Sequence, residues 1–348
     1  MAAERGQKGS DRIKVSVLGA GSLGKEHARI YSELAEAGKI DFVGVYDIRP
    51  EVARNIAAKC RVRAFDSVDE AMDFSDAVNI VTPTNTHFDM AKPMLLRGKH
   101  ILVEKPMTET AAEAAELVQL AHKRNSVLQV GHVERFNPIF NYLQNVATEP
   151  RFIETHRLSP YPARSTDIGV VLDLMIHDLD IVLAFVKSPV VSVDAVGIPV
   201  LSKSEDIANA RLRFANNCVA NLTVSRVSPE RMRKIRVFSR SPTMSYISLD
   251  YRAQEGFIYR IALDGEEETS LLKKLLRAKD STIVSQFGGK RIVRQPVPIA
   301  KEEPLKLELD HFIQCIRERQ IPLVSGESAK QALDLAFEIT NKIQASLV

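Results

Sequence analysis

The stretch IKVSVLGAGSLG, residues 13–24, decides the fold. Ile13 to Leu18 is a short run rich in β-branched residues, and it passes directly into glycines at 19, 21 and 24. Lys25 to Ala37 then sets apolar residues at helical spacing. Strand, glycine turn and helix in this order open a βαβ unit, and the chain downstream repeats the alternation. The runs Ile40 to Tyr46, Val62 to Phe65, Ala77 to Val81, Ile101 to Val103 and Val127 to Val130 predict strands. Helices are predicted between them at Pro50 to Lys59, Val68 to Met72, Phe88 to Arg97 and Thr110 to Arg124. Strands joined by such crossovers form a parallel sheet.

After Gly131 the period changes. Asp167 to Val186 is strongly apolar, and six later runs between Val190 and Ile261 alternate with a period of two, the signature of a mainly antiparallel sheet with one face left open. Gly265 to Glu268 and Phe287 to Lys290 read as loops, and helices near Leu305 to Arg319 and Glu327 to Leu347 close the chain. The expected class is therefore α/β: an N-terminal Rossmann parallel sheet plus a C-terminal α+β domain with a mainly antiparallel, open-faced sheet. A length of 348 residues fits two domains. Their expected limits are a tail at 1–12, a dinucleotide domain at 13–131 and a substrate and oligomerisation domain at 132–348, whose closing helices are free to pack back on the first.

Composition narrows the function classes. With 45% hydrophobic and 26% charged residues the chain is neither disordered nor fibrous. A formal charge of +3, with both signs interspersed, leaves no electrostatic footprint for nucleic acid. Cys60, Cys218 and Cys315 have no zinc or disulfide spacing, and no metal is expected. The opening MAAERGQKGSDR lacks an apolar stretch, and no run approaches the roughly 18 apolar residues of a membrane span, so a cytoplasmic protein is expected.

The spacing of Gly19, Gly21 and Gly24 has a physical reading. The first glycine permits the tight turn, the second lets backbone approach a pyrophosphate, and the third lets helix and strand pack closely while the helix N-terminus, with Ser22 and Leu23, faces the negative charge. Asp47 ends the second predicted strand, placed to accept from the ribose hydroxyls, which favours NAD over NADP; Ile48 and Arg49 follow it, and Arg49 softens the preference. A flavin dinucleotide shares the fingerprint and stays open at this point. Two further strands end in VTPTNTH (81–87) and VEKPMTET (103–110), so Thr82, Pro83, Thr84, His87, Glu104 and Lys105 are expected to line the cofactor crevice. In VLDLMIHDLD (171–180), Asp173 and His177 stand four apart on one predicted helix face, where a histidine can take a hydroxyl proton as hydride leaves the same carbon.

The glycine fingerprint, Glu104-Lys105-Pro106, the GHVERF segment at 131–136 and the Asp173/His177 pair together resemble the glucose-fructose oxidoreductase and inositol dehydrogenase family, Gfo/Idh/MocA. The resemblance covers nearly the whole chain. It implies NAD as cofactor, Lys105, Asp173 and His177 around the reacting carbon with His177 as acid/base, and dimers or tetramers through the C-terminal sheet. Within the family the segments HRLSPYPARSTDIGVVLDLMIHDLDI, SEDIANARLRF and NCVANLTVSRVSPERMRKIRVF are most similar to dehydrogenases acting on the 3-hydroxyl of UDP-N-acetylglucosamine in lipid A synthesis, which an aminotransferase follows. A nucleotide-sugar diphosphate needs cations, for which Arg135, His156, Arg157 and Arg164 are the candidates. The rival readings are a dehydrogenase of a free sugar or cyclitol, an NAD-dependent glycoside hydrolase, and an NAD sensor without catalysis.

Overall fold

The computed structural model describes residues 12–161, 168–241, 244–262 and 282–346. They form two compact units: one runs to Gly131 and includes Leu305–Glu327, the other holds His132–Pro304 and the chain from Ser328.

The first unit opens with β1 (Lys14–Leu18), α1 (Gly24–Glu36), β2 (Asp41–Tyr46), α2 (Pro50–Cys60) and the two-residue β3 (Arg63–Ala64). It continues through α3 (Val68–Phe74), β4 (Ala77–Ile80), α4 (His87–Leu96), β5 (His100–Glu104), α5 (Ala111–Arg124) and β6 (Leu128–Gly131). All strand pairs are parallel, in the order β3-β2-β1-β4-β5-β6. The chain builds outward from β1 to β3 and then returns to β4 on the other side of β1. That reversal leaves a crevice beyond the carboxyl ends of β1 and β4, the usual ligand position in an open α/β sheet. The core beneath draws Ile30, Tyr31 and Leu34 from α1 and Leu309, Phe312 and Ile313 from the later helix Pro304–Glu318.

The second unit begins with a short 3-10 turn at Val133–Phe136 and α6 (Pro138–Val146), which Asn137 caps through Ile139 N–H and Pro138 starts at the position where its missing donor is harmless. Its nine-stranded sheet comprises β7 (Pro150–Leu158), β8 (Val190–Ile198), β9 (Ile207–Phe214), β10 (Val219–Ser225), β11 (Met232–Ser239), β12 (Ser245–Asp250), β13 (Glu255–Ile261), β14 (Thr282–Phe287) and β15 (Lys290–Pro296). Every pair is antiparallel except the central β7 and β10. Ile153, Ala210, Leu222, Ile235 and Ile247 are buried on one face, toward which α7 (Ile176–Val186) sends Asp178.

Four of these elements escape the sequence reading: α6, β7, β14 and β15. The inward face of β7 carries Thr155 and Arg157 beside Ile153, so it lacks the apolar alternation of its neighbours. Phe287 to Lys290 is the hairpin between β14 and β15, with Gly288 and Gly289 at φ 54° and 74°. The loop expected at Gly265 to Glu268 lies outside the described residues.

Candidate functional site

In the first unit the glycine turn follows β1 directly. A Cβ on Gly19 would stand 2.4 Å from the Val81 carbonyl oxygen, and one on Gly24 would overlap the Gly19 carbonyl, so both positions are closed to any side chain. Gly21 differs. Its missing Cβ would meet nothing within 4 Å, so no packing of the chain itself demands glycine there, whereas a ligand lying against the backbone does. Leu23, before α1, offers no side-chain cap, and the N-terminus of a helix favours an anion. Ser22 is exposed beside it.

Asp47 is buried at the end of β2 and braces the turn: its Oδ2 accepts Ala20 N–H at 2.8 Å, while Oδ1 accepts the Arg49 backbone N–H at 3.0 Å and its Nε at 3.3 Å. A carboxylate has about four acceptor positions, so with three taken Asp47 can hold the turn and still receive one ribose hydroxyl. Ile48 next to it is 85% exposed, an apolar surface facing solvent. The open backbone at Gly21, the uncapped helix and the bracing acid fit a dinucleotide.

At the end of β4, Thr82 Oγ1 bonds Thr86 Oγ1 at 2.7 Å, and Pro83 and Thr84 begin the turn into α4. His87 corrects the sequence expectation. It is 1% exposed and sets Nδ1 and Nε2 each 2.9 Å from a carbonyl oxygen, of Pro106 and of Thr82. It therefore ties the loops after β4 and β5 together from beneath instead of facing the cofactor. Burial is the larger influence on its pKa and lowers it, against the carbonyls and Glu104, which raise it.

Glu104 ends β5 at the far end of a polar chain that the sequence does not disclose. Tyr31 O–H donates to Asn79 Oδ1 at 2.8 Å, Asn79 Nδ2 lies 3.0 Å from His27 Nδ1, and His27 Nε2 lies 3.2 Å from Glu104 Oε1. An amide nitrogen only donates, so His27 accepts at Nδ1. Gly131 is needed opposite, because a Cβ there would come within 2.7 Å of Glu104 Oε1. Lys105 follows, half-buried, with a cis peptide bond to Pro106.

In the second unit Asp173 and His177 are both half-buried at the start of the α7 segment. The segment opens as a π-helical turn over Val171–Met175 before continuing as α7, so Asp173 sits in a widened turn and not in the regular helix that the spacing predicts. The ring of His132, buried near the start of GHVERF, meets that of His177 edge-on at a centroid distance of 5.8 Å. No sequence signal marked His132 apart from its place in that segment.

The four residues expected to hold a diphosphate fare differently. Arg157 is buried and committed: Nε and Nη2 reach both oxygens of Asp178 at 3.1 and 2.9 Å, and Nη1 reaches Glu134 at 3.1 Å. Burial alone would weaken its charge, but Asp178 and Glu134 outweigh burial and raise its pKa. Arg135 is likewise buried, 3.2 Å from Asp180 and over the Phe140 ring. His156 adjoins Arg157 in β7, and successive strand residues point to opposite faces, so it lies on the open side of the sheet with Glu154 and cannot share a ligand with Arg157. These three are corrected accordingly, and Arg164 lies outside the described residues. Arg233 takes the exposed place in this array, half out of the protein and 3.4 Å from Glu134.

The sequence description "Oxidoreductase family, NAD-binding Rossmann fold" matches residues 13–132, and "GFO/IDH/MocA C-terminal domain" matches residues 145–241. UDP-N-acetylglucosamine 3-dehydrogenase of Acidithiobacillus ferrooxidans is 34% identical over 336 residues, 96% of this chain and 98% of its own. The chain belongs to the Gfo/Idh/MocA oxidoreductase family. A crystal structure of that relative superposes with a TM-score of 0.83 at 33% identity, covering 97% of this chain and 99% of the other. A more distant family member, scyllo-inositol 2-dehydrogenase (NAD(+)) of Bacillus subtilis, is 25% identical over 96% of this chain and 94% of its own. The family assignment gives the first unit its cofactor, NAD, and the chain its reaction class. Among the described residues no helix is long and apolar enough to cross a membrane, and no three His, Cys, Asp or Glu side chains cluster as metal ligands.

Proposed function

We propose that this oxidoreductase converts the 3-hydroxyl of UDP-N-acetylglucosamine to a ketone. The observation that carries the reading is the 34% identity, end to end, with a UDP-N-acetylglucosamine 3-dehydrogenase. Bound at the glycine turn, NAD supplies the hydride acceptor. His177 takes the hydroxyl proton as the C–H pair leaves with its electrons, Lys105 hydrogen-bonds the reacting oxygen, and Asp173 orients the sugar or the histidine. Atoms balance as one ketone, one NADH and one proton. Asp47 reads the ribose, and its negative charge disfavours a 2′-phosphate. Arg135 and Arg157 are excluded as diphosphate ligands because carboxylates already occupy them; Arg164 keeps that role.

On this reading the 3-keto product passes to an aminotransferase, and the reaction is assigned to lipid A synthesis in the cytoplasm. The open sheet face carries exposed Phe152, Val196, Ile198 and Tyr246, a surface suited to a second copy of the chain in a dimer or tetramer. Incubation with NAD and UDP-N-acetylglucosamine, with and without an aminotransferase to remove ketone, tests the reading by NADH absorbance and mass spectrometry of the sugar nucleotide. Loss of two mass units, or the amino sugar, is expected. Turnover of scyllo-inositol with no reaction of the nucleotide sugar would move the chain to the cyclitol branch that the B. subtilis relative represents.

A further inference from the structure

Arg226 and Asp206 are both 0% exposed, and Arg226 is among the largest side chains wholly enclosed by the protein. A buried ion pair is a poor way to gain stability, because desolvation consumes most of its attraction. What it does is fix geometry. Arg226 spends its fork on three points: Nε on Asp206 Oδ1 at 2.7 Å, Nη2 on Ser202 Oγ at 2.8 Å and Nη1 on the Ile168 carbonyl at 2.7 Å. Asp206 in turn gathers the loop between β8 and β9, its Oδ2 accepting the N–H groups of Val200, Leu201 and Ser202 at 2.6 to 2.9 Å.

The same loop grips the chain just ahead of the π turn. Val170 N–H donates to the Glu205 carbonyl at 3.0 Å, and Val171 N–H donates to the Glu205 carboxylate at 3.2 Å. Gly169 leaves the space for this, since a Cβ there would fall inside the Glu205 carboxylate. One residue chain thus runs from the end of β10 through Arg226, Asp206 and Glu205 to residues 168–171, and Asp173 N–H then bonds back to the Gly169 carbonyl at 3.1 Å.

We infer that Glu205, Asp206 and Arg226 are positioning residues for Asp173 and His177, a clamp that sets where the widened turn begins and hence where both side chains stand. This rests on the assignment of His177 as the acid/base. The clamp touches neither substrate nor cofactor. It explains the SED at 204–206 and Arg226 in SRV, two parts of the sequence that the cofactor and the proton transfer leave unused.

The test compares Glu205→Ala, Glu205→Gln, Gly169→Ala, Arg226→Lys and His177→Ala with the wild-type protein. It reads kcat, KM for UDP-N-acetylglucosamine, NAD affinity, thermal midpoint and the titration of the His177 ring followed by NMR. A displacement of about 1 Å costs up to about a hundredfold in rate. Glu205→Ala and Gly169→Ala, which break one contact from its two sides, are therefore expected to lower kcat about ten- to a hundredfold, leave NAD affinity within about twofold and move the His177 titration. Glu205→Gln, whose amide oxygen still accepts Val171 N–H, restores kcat to within about threefold. If Glu205→Ala lowers only the thermal midpoint, with wild-type kcat and an unmoved His177 titration, the clamp is mere structure and the inference falls. Should one alanine variant not fold, the other and Arg226→Lys decide. A fully active His177→Ala sinks the acid/base assignment and the inference with it, whereas an inactive His177→Ala beside a fully active Glu205→Ala sinks the inference alone. The NMR titration needs no substrate and separates both from an error in the substrate.

Discussion

At the carboxyl ends of β2 and β4 the polar groups are held largely by hydrogen bonds to backbone: Asp47 on the N–H groups of Ala20 and Arg49, and His87 between two carbonyls. Beneath α7 the arginines are held by carboxyl groups, Arg157 by Asp178 and Glu134, and Arg135 by Asp180. The difference follows from the task of each region. A dinucleotide is met by peptide groups, so the first region must shape backbone. The second must hold side chains in place inside a medium where a misplaced charge is expensive, so each charge is matched to another. Damage to the first is expected in ligand affinity, and damage to the second in the fold.

Arg157→Ala is the largest break of that contrast. It strands Asp178 in the interior and leaves Glu134 only Arg233 and Asn137, and about 3 to 5 kcal/mol of stability should be lost in urea unfolding. A loss below about 1 kcal/mol would mean that the array is wetter than its burial indicates. Gly24→Ala and Gly21→Ala then divide the first region within one motif. The alanine at 24 would overlap the Gly19 carbonyl and should cost about 1 to 3 kcal/mol, while the alanine at 21 meets nothing in the protein and should leave the thermal midpoint unchanged but weaken NAD at least tenfold. Calorimetry and NAD titration distinguish the two, and equal effects would erase the distinction.

Asp180 gives an effect that appears only as pH changes. Burial, the larger influence, pushes its carboxyl up to about 7, with Arg135 pulling the other way. In the unfolded chain an aspartate titrates near 4. Between those values the folded protein binds the extra proton, so stability falls as pH rises from about 4 to about 7 and levels off above. Asp180→Asn should lack this slope, the two proteins diverging by on the order of 4 kcal/mol across the window. Parallel curves would show that Arg135 keeps Asp180 ionised throughout. The smallest change is expected for Asp47→Ala, which should weaken NAD about tenfold and NADP less, since the acid both braces Ala20 and repels a 2′-phosphate. An unchanged preference in paired titrations would remove Asp47 from ribose recognition.

The contrast also explains what the sequence discloses. Backbone shape is written in local spacing, and the glycines, Asp47 and the strand ends around Thr82 and Glu104 could be placed from it. Ion pairs join residues 21 or 23 positions apart on different elements, as Arg157 does with Asp178 and Glu134, and no spacing rule announces them. The arginines therefore read as free cations until the fold brought carboxylates to them. Two signals were available nonetheless. The parity of a strand already forbids His156 and Arg157 from sharing a face, and Asn137-Pro138 is a capped helix start ahead of α6. Glu205, Arg226 and the His27 to Glu104 chain had no local signature at all.

The helix Pro304–Glu318 gives the first unit a consequence in time. Its Leu309, Phe312 and Ile313 complete a core begun by residues 15 to 57, yet roughly 170 residues of the second unit are synthesised in between. At about 5 to 20 residues per second, the nascent dinucleotide unit waits on the order of 10 to 30 seconds for its last helix. During that interval the apolar surface around Tyr31 and Phe42 is without its cover. The newborn chain is thus most exposed to aggregation and to chaperone capture until Pro304–Glu318 has emerged, and that helix alone closes the core of the NAD-binding half.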